Sequence, residues 1–123
     1  MKPLSIVIAY SSPKHAEALC RALDSHCGVM NVAANLQELL TAIPRHRADV
    51  AIVDLELAGL TDVQQLVRQF PATALICTHR LADDRMWAKA LAVGAADFYN
   101  SADVRAITFA ACGAGKFSHA QAA

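Results

Sequence analysis

At 123 residues the chain has the size of one ordinary domain, long enough to bury a real core. Hydrophobic residues make up 55% of it, which excludes a disordered segment, and eleven basic residues balance eleven acidic ones, which leaves no charge footprint for direct nucleic-acid binding. No run approaches the roughly 18 apolar residues of a membrane span, and Met1-Lys2-Pro3 leads into a short apolar run with no cleavage pattern, so a cytoplasmic protein off the membrane is expected.

Strand and helix signals then alternate five times along the chain. Ser5 to Ala9 is short, apolar and β-branched, a first strand. Ser12 as N-cap and Pro13 at the first helical position open a helix whose Ala16, Leu19, Cys20 and Leu23 share one face, with Gly28 as its stop. Val29 to Ala33 is a second strand. Asn35 caps a second helix with Leu36, Leu39, Leu40 and Ile43 inward, closed by Pro44. Val50 to Val53 is an unbroken apolar run, as suits a parallel strand covered on both faces, and Asp54 ends it. Gly59 and Thr61-Asp62 form a loop and cap before a third helix with Val63, Leu66, Val67 and Phe70, closed by Pro71. Ala74 to Thr78 is a fourth strand. Asp83-Asp84 start a fourth helix at the positive end of its dipole, Trp87, Ala90, Leu91 and Val93 are its apolar residues, and Gly94 caps its end. Ala96 to Asn100 is a fifth strand. Ser101 caps a fifth helix carrying Val104, Ile107 and Ala111, which loses definition at Gly113-Ala114-Gly115.

This alternation implies βαβ units, right-handed crossovers and a parallel sheet with helices on both faces. With five units the expected class is α/β, a flavodoxin-like (βα)5 doubly wound sheet in strand order 2-1-3-4-5, over residues 1–115, with 116–123 as a flexible tail or the start of a linker. Such a sheet keeps its ligand sites beyond the carboxyl ends of its strands, at the switch point between the first and third. The loop Tyr10-Ser11-Ser12 and Asp54 should therefore share one crevice. A carboxylate there can act as a nucleophile or hold a cation, or simply cap the next turn.

The four cysteines, Cys20, Cys27, Cys77 and Cys112, form no C-x-x-C pair and read as reduced, packed thiols. Cys20, His26 and Cys27 fit no structural zinc spacing.

The stretch A-D-V-A-I-V-D-L-E-L-A-G-L-T-D resembles the third strand and following loop of response-regulator receiver domains. A-T-A-L-I-C-T-H resembles their fourth strand, and V-G-A-A-D-F-Y-N the exit of their fourth helix and their fifth strand. The resemblance, from about Leu4 to Cys112, implies two-component phosphorelay signalling. In that family a sensor kinase donates a phosphoryl group to the aspartate after strand three, and Asp54 holds that position. The transfer needs a divalent cation, because carboxylate and phosphoryl oxygens repel one another.

Three departures accompany the match. The acidic cation ligands after strand one correspond to Tyr10 and Ser11, neither anionic at neutral pH. Magnesium would keep Asp54, a backbone carbonyl near Glu56 and water, a poor site, so no cofactor or at most weak Mg2+ is expected. The lysine that grips the phosphoryl oxygen corresponds to Ser101. The very small residue after the switch hydroxyl corresponds to His79, whose imidazole would narrow the approach. Thr78 matches the switch hydroxyl and Phe98 the switch aromatic, each of which also reads as an ordinary strand-end or core residue. Losing the acids and the lysine should remove several kcal/mol, since one well-placed electrostatic group is worth about 3 kcal/mol.

The resulting expectation is an atypical receiver-like domain, weakly or not phosphorylated at Asp54, that acts by contact with a protein: an output domain, a target regulator or a sensor kinase. In the family the contact face is formed by the fourth helix, fifth strand and fifth helix, through which a homodimer can also form. Here it would carry Met86, Trp87, Phe98, Tyr99 and Phe109. A conventional phosphorelay receiver phosphorylated on Asp54 is one alternative. A small-anion or nucleotide module is another, although no glycine-rich loop follows strand one, and G-A-G-K-F-S lacks the spacing and context of a phosphate loop. An enzyme is not expected: Ser11 and Ser12 lack an evident histidine base, with His15 read as facing water, and Glu56 is read as pointing to solvent.

Overall fold

The computed structural model describes residues 4–26 and 28–122. Ten elements alternate: β1 (Leu4–Ala9), α1 (Pro13–His26), β2 (Gly28–Ala33), α2 (Leu36–Arg45), β3 (Val50–Asp54), α3 (Leu60–Gln69), β4 (Ala74–His79), α4 (Asp84–Ala92), β5 (Asp97–Asn100) and α5 (Val104–Ala122). The strands form one parallel sheet in the order β2-β1-β3-β4-β5. This is the flavodoxin-like order expected from the alternation.

The period-2 alternation of strand side chains divides the core into two layers. Val7, Ala9, Ala51, Val53, Leu75 and Cys77 face one way and pack with Leu39, Ile43, Val63, Leu66 and Ala90 of α2, α3 and α4. Ile6, Ile8, Val50, Ile52 and Ile76 face the other way and pack with Leu19 and Leu23 of α1 and Ile107 and Ala111 of α5. Both faces of β1, β3 and β4 are thus covered, which is why these strands read as continuous apolar runs. The arrangement brings the carboxyl ends of β1, β3 and β4 side by side, with Ala9 opposite Val53 and Asp54 opposite Thr78.

Most local signals hold. The Ser12 hydroxyl accepts from the His15 N–H, Asn35 from Glu38 and Asp83 from Met86, each capping its helix. Gly94 has φ 106°, the conformation that favours glycine.

Five boundaries are corrected. Gly28 begins β2 rather than only stopping α1: a Cβ there would run into the Leu4 carbonyl oxygen of the paired strand. Pro44 does not close α2, which runs to Arg45; a proline in the final turn forfeits a single ladder bond, and the chain leaves at Arg47, φ 48°. Thr61 and Asp62 lie inside α3, whose N-cap is Gly59, with the Asp62 carboxylate accepting the Gly59 N–H. Asp103, not Ser101, caps α5, accepting from the Ala106 N–H. Finally, α5 continues past Gly113 to Ala122, because its backbone ladder outlasts the apolar periodicity that made it legible. Cys27, one of the three considered for zinc, lies outside the described residues.

Candidate functional site: the crevice around Asp54

Asp54 closes the central strand with its side chain buried, only 3% of the residue remaining exposed. Three groups surround its carboxylate. The Ser11 hydroxyl donates to Oδ2 at 3.0 Å, with the Ser11 N–H at 3.5 Å from the same oxygen, and the Glu56 N–H donates to Oδ1 at 3.1 Å. The backbone carbonyl of Asp54 accepts from Leu57 and Ala58, and the Leu55 N–H bonds to the Thr78 carbonyl. The turn after β3 is therefore tied both to Asp54 and to β4. The predicted meeting of the β1 loop and Asp54 occurs, and it occurs through a hydrogen bond.

Tyr10 is buried on the α1–α5 side of the sheet, continuing the face of Ile6 and Ile8. Burial pushes its phenol up to about 12; the nearby Thr78 hydroxyl works against that shift and the Asp54 carboxylate adds to it. Tyr10 is thus a neutral group at physiological pH. The two hydroxyls, of Tyr10 and of fully buried Thr78, influence one another without either making a hydrogen bond of ordinary geometry. His15 is half-buried with its ring edge-on to Tyr10, centroids 6.4 Å apart, and so does not simply face water.

Across the crevice, Glu56 is exposed, as expected, and also ion-paired. Its carboxylate pairs with Arg80 Nε at 2.8 Å and lies 3.8 Å from His79 Nε2. His79 Nδ1 accepts the Leu81 N–H, which assigns the proton of the neutral ring to Nε2, on the Glu56 side. The loops after β3 and β4 are therefore joined by Glu56, His79 and Arg80. Arg80 escaped the sequence reading; its signal was a second basic residue directly after the strand-ending Thr78-His79. Ser101 is buried, its N–H bonded to the His79 carbonyl, and it brings no charge.

A divalent cation at this position would find the buried Asp54 carboxylate, with no anionic group from Tyr10, Ser11 or Ser101 beside it. Both Asp54 oxygens already accept hydrogen bonds, Tyr10 is neutral and buried, and the Glu56 carboxylate is engaged by Arg80. Among the described residues, no group of three or more His, Cys, Asp or Glu is placed to hold a metal ion.

The expected contact face separates into two kinds of residue. Phe98 is buried in the core with Cys77 and Ala90, and Met86 packs partly against that layer. Tyr99 donates its hydroxyl to Asp97 at 2.6 Å, while Trp87 and Phe109 are exposed. Among the described residues, no helix is long and apolar enough to cross a membrane.

No protein-family model matches the chain, and none of the curated proteins matches it in sequence. Its fold does match solved structures. A response regulator from Thermotoga maritima superposes with a TM-score of 0.84 at 18% identity, over 94% of this chain and 99% of that one. The signal receiver domain of an HD domain-containing protein from Pseudomonas fluorescens Pf-5 gives 0.85 at 19%, over 98% and 93%. An orphan response regulator of H. pylori gives 0.77 at 11%, over 86% and 91%. The chain has the receiver-domain fold of response regulators.

Proposed function

We propose that this chain is an atypical receiver domain of two-component signalling, a cytoplasmic module that acts through protein contact rather than through rapid magnesium-dependent phosphoryl transfer. The observation that carries this reading is the Ser11 hydroxyl bonded to Asp54 Oδ2 at 3.0 Å. Where phosphoryl chemistry needs a cation between the carboxylate and the incoming phosphate, this chain places a neutral hydroxyl donor in place of an anionic cation ligand. The neutral, buried Tyr10 supports the same reading, as does the uncharged Ser101.

In this proposal Asp54 keeps the phosphoacceptor position without its cation. Thr78 and Phe98 keep the switch positions. Phe98 lies in the core, as an inward resting rotamer would require. The Glu56–Arg80 pair links the β3–α3 and β4–α4 loops at the rim of the crevice. The module is a signalling domain and not an enzyme, and its partners are a kinase, an output domain or a target regulator.

The test is incubation with a small phosphodonor and magnesium, followed by intact-mass measurement of wild type and Asp54→Asn. Wild type is expected to stay at its unmodified mass. Robust gain of one phosphoryl group, absent in Asp54→Asn, would overturn the proposal in favour of conventional phosphorelay.

A further inference from the structure

We propose that the loop after β4 is a proton-operated latch: the neutral imidazole of His79 holds the Leu81 N–H, and proton uptake by the ring lets it go. His79 ends β4 with its side chain 18% exposed. Its Nδ1 accepts the Leu81 N–H at 2.9 Å. That bond closes a tight turn and fixes where Leu81, itself 66% exposed, stands. The next element, α4, begins at Asp84 and carries Trp87.

A neutral imidazole has one acceptor nitrogen and one N–H. Here the acceptor is taken by Leu81, and the N–H lies at Nε2, 3.8 Å from Glu56 Oε1. A proton entering the ring therefore goes to Nδ1. It then meets the Leu81 N–H donor against donor, and that contact cannot persist. Histidine is the side chain whose charge ordinarily changes between about pH 5 and 8, so the exclusion operates over a mild change of pH.

The surroundings decide which group leaves. The His79 carbonyl is bonded to the Ser101 N–H, and the Arg80 carbonyl to Asn100 Nδ2, so the backbone at His79 and Arg80 is tied to β5 and the turn after it. Leu81 is the part free to move. Glu56, on the turn after β3, draws a charged ring toward its Oε1, while Arg80 Nε holds the same oxygen at 2.8 Å and competes for it. From β5 the residue in register with His79 is uncharged Asn100. Asp54 on β3 accepts from Ser11 and from the Glu56 N–H, and Asp83 at the head of α4 accepts from the Met86 N–H. None of these carboxylates is bonded to the Leu81 N–H.

The latch stands on this geometry alone; its use, setting how Leu81 and Trp87 are presented to a partner, rests on the contact-driven reading above. NMR of the full chain tests it. The His79 ring is titrated while solvent exchange of the Leu81 amide is followed relative to its intrinsic rate at each pH. Two variants bracket the wild type, with far-UV circular dichroism checking the fold of each. His79→Asn keeps an acceptor, because its Oδ1 stands where Nδ1 stands, but takes up no proton. His79→Leu has neither property. In wild type the Nε2–H tautomer is expected at the alkaline end. Leu81 exchange should speed up about fivefold to tenfold in step with the ring titration, the net strength of one hydrogen bond. It should stay slow at every pH in His79→Asn and fast at every pH in His79→Leu. An Nδ1–H tautomer, or Leu81 exchange that ignores the ring titration, overturns the inference in wild type alone. A His79→Asn protein that accelerates in acid as wild type does also overturns it, by assigning the response to another group. Phosphoryl uptake by Asp54 would refute the functional reading without changing these rates, and pH-independent exchange would refute the latch without touching that reading.

Discussion

Replacing Tyr10 with Phe isolates the physics of the crevice. The substitution keeps the ring that fills the α1–α5 side of the core and removes only a buried hydroxyl with no hydrogen bond of its own. An unpaired buried hydroxyl costs roughly 1–3 kcal/mol, so at neutral pH Tyr10→Phe should be neutral to about 1 kcal/mol more stable, once its influence on Thr78 is also lost. The pH dependence is sharper. The folded phenol sits at about 12 against 10.0 for a free one, chiefly through burial. A raised folded value means that the neutral form is favoured in the fold. Its contribution is complete below pH 10 and is lost as pH rises from 10 toward 12. Two units correspond to about 2.7 kcal/mol at the limit, and about half of that is lost by pH ~11. Burial moves Cys77 in the same direction, from 9.0 to about 12, but that thiol is present in both proteins and cancels in the difference. Urea unfolding followed by circular dichroism, at neutral pH and near pH 11, gives both quantities. The gap between variant and wild type should widen by on the order of 1.4 kcal/mol over that range. A variant that is clearly less stable at neutral pH would show that the hydroxyl has a partner. A gap that does not widen would show that the phenol is not desolvated.

Three further outcomes follow from named contacts. Ser11→Asp sets a second carboxylate against Asp54 Oδ2, which the serine hydroxyl now contacts at 3.0 Å. Like charges at that range cost on the order of 1–4 kcal/mol, so thermal unfolding of the variant should fall in chelator and recover with magnesium or manganese, while wild type shows no cation response. Gly94→Ala should cost about 2 kcal/mol or more by chemical denaturation, since φ there is 106° and the new methyl would meet Val67 Cγ1 at 2.8 Å. Asn35→Ala should cost about 1 kcal/mol by the same assay, because it removes the acceptor of the Glu38 N–H at the start of α2.

Much of the architecture was legible because the code behind it is local. Apolar runs at Val50–Val53 and Ala74–Thr78, caps at Ser12, Asn35 and Asp83, and Gly94 at a helix end each act over a few residues. With five alternating units, right-handed crossovers left few orders for the strands, and 2-1-3-4-5 is the order found. The helix ends misread at Pro44 and Gly113 are places where backbone hydrogen bonding outlasts the side-chain pattern. Ser101 looked like a cap because its hydroxyl suits one, but Asp103 lies closer to the first turn and takes that role.

Residue type and strand periodicity, both properties of the chain, put Asp54 at the end of a central strand and leave no acid or lysine to accompany it at Tyr10, Ser11 or Ser101. What those neutral residues do depends on which strands lie side by side in the fold. Ser11 is a hydrogen-bond donor to Asp54, the Tyr10 hydroxyl is buried beside Thr78, and exposed Glu56 pairs with Arg80. These partners lie more than twenty residues apart in the chain. Distances at that separation are set by how β1, β3 and β4 align in the sheet, and no local pattern encodes them.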